Sequence, residues 1–108
     1  MEQRIFDELV EGILSVLRDQ VLRIVLYGSV ARGTQTSDSD VDIAVFVRSR
    51  IEPERESRLS DVVVDLNLKY DKVFSVIDIE DSVYQTWRDV TPFYQNVDRE
   101  GVVLWQAA

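Results

Sequence analysis

The 108-residue sequence carries 20 acidic and 12 basic side chains, a formal net charge of −8, and neither histidine nor cysteine. At about 150 residues per domain there is room for one domain spanning 1–108, and a composition of 45% hydrophobic and 30% charged residues is that of a globular chain. These features exclude disulfides, thiolate nucleophiles, Cys-ligated zinc, iron–sulfur clusters and imidazole acid–base chemistry, and the acidity argues against direct nucleic-acid binding.

Ile5, Leu9, Ile13, Val16 and Leu17 recur at spacings of three and four, which predicts an amphipathic helix over residues 2–19, weakened slightly by Gly12. Residues 21–27 are apolar and β-branched apart from Arg23 and stop at Gly28, the pattern of a buried strand. A polar Gly-containing loop follows over 28–39, with one helical turn expected at 29–32. From 40 to 47, Val41, Ile43, Val45 and Val47 alternate with Asp40, Asp42, Ala44 and Phe46, predicting a second strand. Pro53 and the stripe Leu59, Val62, Val63, Leu66 and Tyr70 favour a helix over 53–70, although Val62-Val63-Val64 also fits a strand. A third strand is expected over 73–79, a short helix over 82–88, a Pro-initiated helix over 92–100 and an edge strand over 102–105, with 106–108 fraying. The fold class is α/β (α+β), a small mixed sheet flanked by helices.

No stretch reaches the roughly 18–20 apolar residues of a membrane span, and Met1-Glu2-Gln3-Arg4 opens an amphipathic segment, not the basic-then-apolar pattern expected of a signal peptide. A cytoplasmic location without membrane partners is expected.

One segment stands apart: Gly28-Ser29-Val30-Ala31-Arg32-Gly33, then Asp40-Val41-Asp42 on a strand. Gly28 lets the chain turn sharply and allows close approach of a phosphate. Ser29 opens a helical turn whose free amides and hydroxyl suit an anionic oxygen. Asp40 and Asp42, two apart on a strand, share a face and suit divalent ions held between carboxylates and phosphates. Two such ions activate an attacking oxygen and stabilise a leaving one. Taken singly, Asp-x-Asp is usually a solvated pair and Gly-Ser usually a turn; their combination at the ends of adjacent strands is the signal.

This combination resembles the signature of the minimal nucleotidyltransferases, small members of the DNA polymerase β-like superfamily. The resemblance implies a Mg²⁺-dependent enzyme, with two ions (Mn²⁺ a possible substitute), that transfers a nucleoside monophosphate from a triphosphate, with ATP favoured, to an acceptor hydroxyl. Gly28, Ser29, Arg32 and Gly33 would hold the nucleotide, and Asp40 and Asp42 the metal. Arg32 has an alternative reading as an ion pair to an acidic loop. The resemblance also implies a helical HEPN-type partner, toward which the chain acts as antitoxin, or else a homo-oligomer. At 108 residues no separate substrate-binding domain is expected, so the acceptor would be gripped by such a partner.

The family usually places a third carboxylate near the start of the next strand, and alignment puts Ser75 there. Asp78 is the nearest acid in that strand, but at three residues on it faces the opposite side unless a bulge or shifted register intervenes. Asp71 is a second candidate. Without a third acid, the alternative reading is a catalytically weak nucleotide-binding and regulatory module that neutralises a partner toxin by binding. A small-molecule adenylyltransferase ranks lower. Tyr84, Trp87, Phe93, Tyr94 and Trp105 are expected in packing or at an interface, and Arg48, Arg50, Arg55 and Arg58 on a solvated helix start.

Overall fold

A computed structural model describes residues 3–36 and 40–108. Helix α1 (Gln3–Leu17) runs through a 3₁₀ turn (Arg18–Gln20) into strand β1 (Val21–Tyr27), and a one-turn helix α2 (Gly28–Arg32) follows directly. Strand β2 (Val41–Val47), helix α3 (Pro53–Tyr70), strand β3 (Phe74–Glu80), helices α4 (Asp81–Trp87) and α5 (Pro92–Glu100), and strand β4 (Val102–Gln106) complete the order.

The four strands form one mixed sheet in the order β3-β2-β1-β4. β1 pairs antiparallel with both β2 and β4, whereas β2 and β3 run parallel. Strand β2 is central and almost wholly buried, as a near-continuous apolar run requires. On one face, Ile43, Val45 and Val47 pack with Leu9, Ile13 and Leu17 of α1 and Leu59 and Leu66 of α3. On the other, Ala44 and Phe46 pack with Tyr84 of α4 and Val97 of α5. Phe46, with no exposed surface, meets the Tyr84 ring edge-on at 4.9 Å.

Residues 53–70 are helical because the stripe through Leu59 and Leu66 faces the core, which leaves Val64 52% exposed. Gly12 has a packing reason that its propensity hides: a Cβ there would stand 2.7 Å from Val62 Cγ1, so it lets α1 and α3 approach closely. The expected fraying of 106–108 is corrected: Gln106 belongs to β4, and the Ala107 amide donates to the Leu22 carbonyl at 2.9 Å. Among the described residues, no helix is long and apolar enough to cross a membrane.

Candidate active site

Strand directions bring the site together. β1 ends where its antiparallel neighbour β2 begins, so Tyr27 stands opposite Asp42 and the next residue, Gly28, turns over it. β3 runs parallel to β2 and starts at the same end, and β4 starts there too, with Val102 opposite Leu26. Gly28, Asp42, Ser75 and the α5–β4 junction therefore gather at one end of the sheet.

Gly28 is in the left-handed region, φ 75°, and a Cβ there would overlap the Asp42 Oδ2 atom. The glycine is thus required twice, by its backbone conformation and by the carboxylate lying against it. Ser29 follows in α2, and the helix closes on Gly33, also at φ 75°, whose amide donates to the Val30 carbonyl at 3.2 Å. The Thr34 amide donates to the Ser29 carbonyl at 2.9 Å, fixing the turn.

Burial raises the Asp42 carboxyl above its ordinary range, the Asp40 charge raises it further, and the Arg32 charge partly offsets both. Two neighbouring carboxylates disfavour one another's ionised form, and a cation between them relieves that repulsion. Burial, and then the Asp42 charge, likewise push the Tyr27 phenol up. Arg32 makes an ion pair, Nη1 2.9 Å from Glu100 Oε2, but to the last residue of helix α5 and not to the acidic loop expected. Its charge still reaches Asp42.

The β2–β3 register runs from Val41 opposite Phe74 to Val47 opposite Glu80 without a shift. Asp42 therefore stands opposite Ser75, on the face that carries Ala44, Phe46, Ile77 and Ile79. Asp78 stands opposite Val45, on the other face, and hydrogen-bonds to Glu56 of α3. The expectation that Asp78 joins Asp40 and Asp42 is corrected: no bulge exists to turn it. Asp71 ends α3 in a left-handed conformation and is exposed. Among the described residues, no group of three or more His, Cys, Asp or Glu side chains is placed to hold a metal. Asp38 and Ser39 lie outside the described residues.

Arg48 and Arg55 serve elsewhere, donating to the Asp19 carbonyl at 2.9 Å and to Gln20 Oε1 at 2.5 Å. Glu56 and Glu100 escaped the sequence reading because no local pattern links them to Asp78 or Arg32. Tyr27 was accessible, since it directly precedes the glycine that turns over Asp42.

A mixed sheet with a Gly-Ser turn closing on an Asp-x-Asp strand defines a nucleotidyltransferase class of site. The family model for the nucleotidyltransferase domain of polymerase β matches residues 11–107, and the chain belongs to that family. Nucleotidyltransferases of this fold generally use divalent metals. Two relatives from Methanocaldococcus jannaschii carry the provisional name protein adenylyltransferase. MJ0604 is 30% identical over 107 residues, covering 96% of this chain and 98% of the relative. MJ0141 is 29% identical over 98 residues, covering 91% and 93%. A toxin–antitoxin structure with AMP-PNP superposes with a TM-score of 0.58 at 26% identity, covering 90% of this chain and 73% of that one. A Shewanella oneidensis complex of an MNT antitoxin with a tri-AMPylated HEPN toxin shares the fold, with a TM-score of 0.59 at 19% identity and coverage of 98% and 74%.

Proposed function

We propose that the 108 residues form a single cytoplasmic nucleotidyltransferase domain that transfers AMP from ATP to a hydroxyl of a helical HEPN-type partner and acts as its antitoxin. The observation that carries this reading is the Asp42 carboxylate seated against Gly28, beside Asp40 and below the Ser29 turn. The relatives named protein adenylyltransferase and the toxin–antitoxin structure with AMP-PNP support it.

The donor set fits a hard cation: two carboxylates, one of them partly desolvated and raised by its neighbour, in a chain with no histidine or cysteine. Asp40 and Asp42 would hold Mg²⁺, which supplies neutralisation of the charge that builds on the phosphates. Gly28 leaves space for a phosphate to approach the backbone, while Ser29 and the α2 turn offer donors to its oxygens. Gly33 shapes the exit of that turn. Arg32 places positive charge beside the site while anchored by Glu100. In the reaction the acceptor oxygen bonds to the α-phosphorus, the bond from that phosphorus to the bridging oxygen of the β-phosphate breaks, and pyrophosphate leaves. The acceptor proton passes to solvent or a basic group of the partner.

A second reading, nucleotide binding without efficient transfer, is favoured by Ser75 standing where a third acid would face Asp42. Incubation with α-labelled ATP and Mg²⁺, with and without a HEPN protein encoded beside it, separates the two. Label entering the partner, and lost by at least about a hundredfold in Asp42→Asn, is the expected result. Nucleotide retained without transfer establishes the second reading, and no nucleotide bound overturns both.

A further inference from the structure

We infer that this site takes a single divalent ion per bound nucleotide, and that Ser75 is the residue that sets that number. The inference rests on the nucleotide-binding reading above and goes beyond it in fixing the metal count and the side chain responsible.

Three observations carry it. First, the unshifted parallel ladder puts Ser75 beside Asp42 on the same face, one strand spacing of about 4.8 Å away. No other residue of β3 is so placed: Phe74 and Val76 turn into the α1/α3 core, and Ile77 is a further step along the strand, opposite Ala44. Second, the nearest acid in β3 is placed on the opposite face. Asp78 faces α3 and hydrogen-bonds to Glu56, and among the described carboxylates Asp40 is the one that acts on Asp42. Third, the Asp42 carboxylate leans on Gly28, at the end of β1 and so on the side of β2 away from β3, and among the described residues no group of three or more His, Cys, Asp or Glu side chains is placed to hold a metal.

Two carboxylates match one divalent ion that arrives with triphosphate oxygens completing its shell. A second ion about 3.5–4 Å from the first meets strong repulsion, which added anionic ligands must offset. A neutral hydroxyl at residue 75 supplies no such charge. Aspartate at the same position would, with its carboxylate directed from the same backbone seat toward the open side of Asp42.

The test counts metal rather than turnover. The folded protein is equilibrated with Mn²⁺ and AMP-PNP, and the protein-bound Mn²⁺ and analogue are both quantified after dialysis. One Mn²⁺ per bound analogue is expected in the wild type and in Ser75→Ala, and two in Ser75→Asp. Two per analogue in the wild type overturns the inference with no variant needed. A ratio of one in a folded Ser75→Asp overturns the assignment to residue 75. Should Ser75→Asp not fold, Ser75→Glu carries the same charge on a longer arm and is read the same way. Failure of the wild type to bind analogue at all sinks the nucleotide-binding reading instead, so the two failures are distinguishable.

Discussion

Gly28 and Asp42 make competing claims on one small volume, and the glycine yields by having no side chain. Gly28→Ala combines left-handed strain of roughly 1–2 kcal/mol with displacement of the Asp42 carboxylate. It should lower unfolding stability by about that amount and weaken nucleotide binding far more than stability. Gly33→Ala incurs similar backbone strain, but nothing lies within 4 Å of its Cβ. Comparing the two by denaturant unfolding and calorimetric nucleotide titration isolates the carboxylate contact, and equal binding losses would contradict it. At this scale Gly28, Ser29, Asp40 and Asp42 were legible as candidates because they are closely spaced, and the contact of Gly28 with Asp42 follows from their places at the ends of adjacent strands. Glu56 and Glu100 were not, since each partnership joins segments that only the folded sheet brings together. The Asp78 placement turns on a single fact, whether β3 is bulged, which residue identities do not encode.

Helices and strands were legible almost to their ends because burial and period agree. Helix α3 and helix α5 occupy the expected 53–70 and 92–100, each opened by a proline at its first position. The end of β4 was missed because Gln106 and Ala107 carry weak strand preference, and only pairing to β1 orders them. The α5–β4 junction illustrates how an element boundary supports the site. Gly101 ends α5 next to Glu100, and a Cβ there would overlap the Val97 carbonyl oxygen and stand 2.6 Å from Val25 Cγ1. Gly101→Ala should therefore destabilise the protein by about 1–3 kcal/mol through overpacking against β1. It should also loosen Arg32, whose anchor is the preceding residue. Thermal unfolding checks the first effect. A variant as stable as the wild type would show that the junction can shift freely.

Across the whole molecule, the net charge of −8 is unevenly managed. Glu8 of α1 is held below its ordinary value by hydrogen bonds from Lys69 and Tyr70 of α3, tying those helices together. Glu56 goes the other way: burial, then the hydrogen bond and charge of Asp78, push it from 4.5 up to about 7. The folded state thus holds more protons than the unfolded state across that window. This contribution is fully present below about pH 4.5 and is lost as pH rises through about 7. Glu56→Gln should raise the melting temperature relative to wild type at pH 8 and narrow that difference at pH 5, as measured by thermal melts at both. A pH-independent difference would remove the shared proton from the account. Because Glu56 and Asp78 lie on the face opposite Asp42, this titration should leave nucleotide binding unchanged. The central claim is that Asp40 and Asp42, under the Gly28–Ser29 turn, form the seat of a metal-bound nucleotide. Isothermal titration of ATP with and without Mg²⁺, into wild type, Asp40→Asn and Asp42→Asn, tests it most directly. Saturable, Mg²⁺-dependent binding that weakens by about 10- to 100-fold or more in each folded variant is the predicted result, and binding unchanged in both would contradict it.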